Sequence, residues 1–329
     1  MTSAARRRPG TLAIVSMAVA ACVAGISLGA VAIPLDVIPA ALLGRDPAWS
    51  AIVRDLRAPR VLLGFGVGGA LAVAGTSLQA VIRNPLAEPW LLGLSGGAAL
   101  GAILAITLGV PDGWSIALAA ALGALLALTL VYRTATLVGR RLDPRALLLA
   151  GVVIGAFASA LGTAVLAVAD PFTFRAASMW LFGSFSGASW PAVGRFLIVA
   201  LPAVLVLWGA ARSLDLLALG EESAAVLGAD VPGTRRVVVL ATAVLTAATV
   251  TVAGVIGFVG LVVPHAVRGL VGPLHRRLLP LVFLAGGGFT VLADTLARTV
   301  LAPAELPVGV VTALVGVPIF ATLLRRSLA

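Results

Sequence analysis

Long apolar runs, separated by short polar or arginine-bearing stretches, dominate the chain. A helix that crosses a membrane needs roughly 20 mostly apolar residues. On that ruler the sequence predicts ten spans. The first five are Leu12–Ile33, Val61–Ile82, Trp90–Val110, Trp114–Val138 and Ala146–Ala169. The second five are Ala192–Ala211, Val237–Gly257, Phe258–Val271, Leu278–Leu301 and Pro307–Leu324. The eighth is the shortest and contains Pro264, so it reads as a broken or re-entrant piece buried by its neighbours. The expected fold is an all-α polytopic membrane protein, one transmembrane domain over residues 1–329, with 213–234 as a loop.

Composition supports the spans and removes other classes. Hydrophobic residues make up 60% of the chain and charged residues 11%, and the mean hydropathy is +1.13. Soluble domains carry about 25% charged residues. An ordinary cytosolic enzyme, a disordered chain and a nucleic-acid-binding module are therefore excluded. The net charge of +10 comes with 23 basic residues, all arginine. With Arg6, Arg7 and Arg8 placed in the cytoplasm, 16 of those arginines fall on the inner side and 7 on the outer. That bias predicts both termini inside, and it favours counting the short eighth span, because nine spans would put Arg325 and Arg326 outside. Cys22 is the single cysteine, which excludes an intramolecular disulfide. Val19-Ala20-Ala21-Cys22 resembles a lipoprotein cleavage site, but the many spans that follow favour a first helix that stays attached.

The two halves share a spacing. Val73-Ala74-Gly75 precedes Pro85 as Val252-Ala253-Gly254 precedes Pro264. Five spans per half would invert the second copy, giving the inverted five-plus-five repeat of many transporters.

Four polar stretches are candidates for function. Arg57-Ala58-Pro59-Arg60 stands at the outer start of the second span, against the charge bias, as interfacial anchors or a docking point for an acidic partner. In Gln79 through Pro89, prolines 85 and 89 forbid a continuous helix and impose a rigid bend, either a plain turn or a gate. Between spans six and seven, Leu214 through Gly228 reads as two short helices hinged at Gly220 and stopped at Gly228. Leu216, Leu217 and Leu219 there suit a helical knob for a cytoplasmic partner, or packing on the membrane surface. Asp294 and Arg298 lie four residues apart on span nine and are placed to pair.

What is missing narrows the class. A chain without lysine has no P-loop lysine, so ATP hydrolysis of that kind belongs to another polypeptide. Asp294 is the only acid within the predicted spans, which weakens an ion-coupled secondary transporter, the main alternative. Gly93-Leu94-Ser95-Gly96-Gly97 fits the G-x-S-x-G pattern of serine nucleophiles. An intramembrane serine protease would need a histidine partner, and the chain offers only His265 and His275. In a glycine-rich chain the better reading is a helix contact.

Taken in order, five blocks resemble the FecCD/BtuC type of ABC importer permease, a family that takes up ferric siderophores, haem or cobalamin. They are Arg57-x-Pro59-Arg60, Gln79 to Pro89, Leu216 to Gly228, Gly257 to His265, and Leu306 to Ala313. The resemblance implies a permease domain in the plasma (inner) membrane of a bacterium and a homo- or heterodimer with a second permease subunit. It further implies cytoplasmic ABC ATPase subunits, a substrate-binding (lipo)protein outside, and a metal chelate, of the iron-siderophore type, as cargo. It implies no enzyme activity in this subunit, no cofactor, no resident metal and no nucleic-acid partner. By the same resemblance Arg57, Arg60 and Arg298 dock the binding protein. Asn84, Pro85 and Leu86, with Asp143 and Pro144, correspond to gate elements. Leu216, Leu217, Leu219, Gly220, Glu221, Glu222 and Gly228 fall in the ATPase-coupling helices.

Overall fold

Each of the ten apolar runs forms one helix. The computed structural model describes residues 3–110, 113–138 and 144–328. In chain order the helices are α1 (Ser3–Ser27), α2 (Ile38–Leu42), α3 (Ala58–Ile82), α4 (Leu94–Thr107), α5 (Gly113–Val138), α6 (Pro144–Ala167) and α7 (Pro171–Leu181). There follow α8 (Trp190–Gly209), α9 (Ala211–Ala218), α10 (Glu221–Val226), α11 (Val231–Ala253), α12 (Val259–Val271), α13 (His275–Thr299) and α14 (Val308–Leu328). A π-helical segment (Ala51–Arg57) leads into α3, and a 3-10 turn (Pro89–Leu92) leads into α4. Seven helices are long and apolar enough to cross a membrane. Three shorter apolar helices, α4, α12 and the Val308–Thr322 part of α14, complete the ten.

The centre of the molecule is α3. Its apolar window is 89% buried, against 22% for α6. Around it pack α13, α11, α12 and α8, while α4, α5 and α6 form a second group joined to the first through α11. Close helix approach here depends on glycine, because apolar surfaces alone do not drive helices together in lipid. A methyl group on Gly75 of α3 would fall 2.0 Å from the Gly260 carbonyl oxygen of α12. One on Gly97 of α4 would fall 2.4 Å from the Gly123 carbonyl oxygen of α5. The glycines around Ser95 therefore serve a helix contact: Gly96 likewise abuts Gly155 of α6.

The short eighth span forms a short helix of its own, α12, and it has a counterpart. α12 begins beside Gly75, in the body of α3 rather than at its end, and its first half is buried. α4, the third span of its set as α12 is of its own, is also short. The chain before it folds back inward. Glu88 shares one small cavity with Leu71, which lies about 16 Å along α3 from the end of that helix at 1.5 Å per residue. Short spans in corresponding positions of the two halves are compatible with the expected five-plus-five arrangement. The matched tripeptides do not set its register, however: Gly75 lies inside α3, whereas Gly254 ends α11.

Candidate functional site

Functional residues gather at opposite ends of the helices. At one end Arg57 and Arg298 converge on the close of α1, and Arg60 joins them through Asp294. Arg57, the last residue of the π-helical segment, donates from Nη1 to the carbonyl oxygens of Ile26 (2.7 Å) and Ser27 (2.8 Å), and from Nη2 to that of Val31. The last carbonyls of a helix lack internal partners, and here a cation fills them, in accord with the negative helix terminus. Arg298 of α13 donates from Nη2 to the Gly25 carbonyl oxygen, and its Nε lies 3.5 Å from Asp294 Oδ2. Both arginines are buried.

Arg60 differs from the other two. Its Nε and Nη2 donate to Asp294 at 2.9 and 2.8 Å, and its Nη1 and Nη2 donate to Glu305 at 3.0 and 2.9 Å. The expected Asp294–Arg298 pair therefore exists but is the longer of two contacts, and the main partner of Asp294 is Arg60. The docking expectation for Arg57 and Arg298 changes accordingly. Their hydrogen-bonding edges point into the protein, and Arg60 is the member whose second edge reaches an exposed group. Next to this cluster is a cavity of about 690 Å³ whose lining includes Glu305, Pro307, Trp114 and Arg195. Arg195 lies 4.6 Å above the Trp114 ring.

At the other end α9 and α10 form the bent pair expected from the sequence. Gly220 (φ 113°) and Gly228 (φ 83°) adopt backbone conformations that favour glycine, so the hinge and the stop fall where expected. The pair is anchored at one side and bare at the other. Leu214 and Leu217 are buried, whereas Leu219, Val226 and Leu227 are exposed. Leu217 therefore packs on the permease core and is not part of an external knob. Leu216 packs against the same core and is partly buried. Glu221 pairs with Arg235 of α11, while Glu222 is exposed. Asp215 accepts from the His275 backbone N–H (2.9 Å) and meets its ring Nδ1 (2.7 Å), which ties α9 to the start of α13.

The Gln79–Pro89 turn reaches the same region. Arg83 closes α3 in a left-handed conformation, Asn84 Oδ1 accepts from the Leu86 N–H (2.9 Å), and the Ala87 N–H donates to the Asn84 carbonyl oxygen (3.0 Å). The bend is rigid, with Pro85 and Leu86 exposed at its tip. Arg83 lines a cavity of about 1260 Å³ together with Gly220, Glu221, Glu222 and Arg236, so the gate candidate and the coupling candidate border one space. Of the second gate element, Asp143 lies outside the described residues and Pro144 begins α6.

Glu88 is a buried acid that the sequence reading placed in an inner turn. Its carboxylate accepts from Trp90 Nε1 and from the Phe258 N–H, each at 2.7 Å, so it joins the segment before α4 to the start of α12. Trp90 was the available signal, a donor two residues beyond an acid in a proline-bounded stretch.

A family model described as the FecCD transport family matches residues 17–326. The chain belongs to the FecCD transport family. An uncharacterised ABC transporter permease protein, YvrB of Bacillus subtilis, is 36% identical over 92% of this chain and 89% of its own length. A cobalamin import system permease protein, BtuC of Halobacterium salinarum, is 46% identical over 83% of this chain and 73% of its own length. Among solved structures, one described as an inward-facing conformation of an ABC transporter assigned to the metal-chelate type superposes with a TM-score of 0.85. It is 30% identical and covers 96% of this chain and 98% of its own. This FecCD chain is an ABC importer permease, a transport subunit. Membership implies ATPase subunits, a binding protein and a second permease subunit as partners.

Proposed function

We propose that this FecCD permease forms the translocation pathway for a preformed metal chelate, with both termini in the cytoplasm, the arginine end outside and the α9–α10 end inside. The observation that carries the reading is the pairing of the two ends within a fold shared over 96% of the chain with a metal-chelate-type ABC transporter. A cationic cluster at one end suits an acidic delivery protein. An anchored helix pair with an exposed apolar tip at the other suits a groove in a separate motor. In this reading Arg60 makes the direct docking contact, and Arg57 and Arg298 hold the surrounding backbone and add to the positive field. Leu219, Glu222, Val226 and Leu227 meet the ATPase, and Asn84, Pro85 and Leu86 gate the inner mouth. The bare stripe Leu149, Val152, Val153 and Phe157 on α6 takes the second permease subunit or lines the pathway between the two.

The motif blocks are compatible with ferric siderophore, haem or cobalamin. Relatives named for cobalamin put a corrinoid first and a ferric siderophore second. The test is titration of the cognate binding protein with cobalamin, ferric siderophores and haem. Submicromolar binding of one chelate is expected, and binding of none would overturn the chelate reading.

A further inference from the structure

Arg60 presents two carboxylate-binding edges, and the chain fills both itself. A guanidinium has five N–H donors in a fixed fork, enough for two carboxylates side by side. The inner edge holds Asp294, whose side chain is 5% exposed. The outer edge holds Glu305, whose side chain is 41% exposed. Asp294 sits in the body of α13. Glu305 sits in the loop between α13 and α14, seven residues after Arg298 has turned inward to Gly25.

We propose that Glu305 is an internal stand-in for the acidic side chain of the binding protein. It occupies the outer edge of Arg60 in the undocked permease, and docking exchanges it for the partner's carboxylate. The inference rests on the docking reading given above. Three features of the cluster support exchange at Glu305 and not at Asp294. The inner pair is buried, and removing one member of a buried pair leaves an uncompensated charge. In the outer pair the carboxylate side is 41% exposed, and pairs with an exposed partner are weaker. The exchange also preserves charge: three arginines face two carboxylates before it, and with Glu305 released the cluster has two positive charges in excess, which an incoming acid reduces again.

The same exchange would reach the pathway. The Leu306 N–H donates to the Ala297 carbonyl oxygen (2.8 Å), and the Val308 and Gly309 N–H groups donate to Gly183 and Phe182 (both 3.1 Å). Glu305, Leu306 and Pro307 also border the 690 Å³ cavity at the head of α14. Freeing Glu305 thus releases one charged side chain at the wall of that cavity, while these backbone bonds keep the loop in place.

The experiment uses the complete permease–ATPase complex in lipid nanodiscs and the cognate binding protein, with affinity read by biolayer interferometry. Glu305→Gln removes the competitor and is expected to tighten docking about two- to fivefold, the range of an exposed ion pair. Arg60→Gln combined with Asp294→Asn, which removes both members of the inner pair and leaves Arg298 on the Gly25 carbonyl oxygen, is expected to weaken docking at least about tenfold in complexes whose Tm shows them folded. In that background Glu305→Gln should change nothing further. If the Arg60/Asp294 double variant binds as the native complex does, the docking reading fails. If it binds weakly while Glu305→Gln alone binds no more tightly than native, docking stands and the stand-in role is overturned.

Discussion

The two ends of this permease are built from different materials. At the arginine end, buried charges do the holding: Arg57 and Arg298 fill the carbonyls at the close of α1, and Asp294 sits between two arginines. At the α9–α10 end, apolar anchors do the holding, through Leu214 and Leu217, with one His275–Asp215 contact beside them. Each end then exposes the complementary chemistry. The charged end offers one part-exposed ion pair, Arg60–Glu305, and the apolar end offers Leu219, Val226 and Leu227. In both cases the exposed group is small and backed by buried packing.

That comparison can be broken most sharply at Asp294. Asp294→Ala leaves Arg60 and Arg298 without their shared inner carboxylate, and should cost about 3–5 kcal/mol, seen as a large loss of Tm in detergent. A Tm near native would show that the arginine end is not held by buried charge. Leu217→Ala should come next, at about 2–4 kcal/mol, because the site is closed on all sides. Its near neighbour Leu219→Ala should leave Tm within about 0.5 kcal/mol of native. The same variant should lower binding-protein-stimulated ATP hydrolysis in the reconstituted complex; equal effects of the two leucine variants on Tm would contradict the division into anchor and tip. Asp215→Asn should cost about 1 kcal/mol through a weakened contact to His275. The smallest stability change belongs to Glu305→Gln, at most about 1 kcal/mol. A larger loss would make Glu305 a structural member of the cluster.

The sequence revealed much of this and concealed some of it for identifiable reasons. Hydropathy marked all ten helices, because a lipid-facing helix must be apolar along its length. The short eighth span and the glycine hinges at Gly220 and Gly228 were legible from local chemistry alone. The split between Leu217 and Leu219 was present as period, since Leu214 and Leu217 share one helical face, but which face turns inward is a tertiary fact. The contacts of Arg60 were out of reach: Asp294 and Glu305 lie 234 and 245 residues away in sequence. Glu88 was missed because inward folding of the 83–93 segment depends on its partner Phe258, which belongs to the other half of the repeat.

The central claim is that one end receives cargo from outside and the other is driven from inside by a separate motor. Its most direct test is uptake into proteoliposomes holding the permease and its ATPase, with ATP enclosed and the chelate-loaded binding protein added outside. The account predicts accumulation of chelate that needs all three components. Accumulation by the permease alone under a proton or sodium gradient, without ATP, would contradict it.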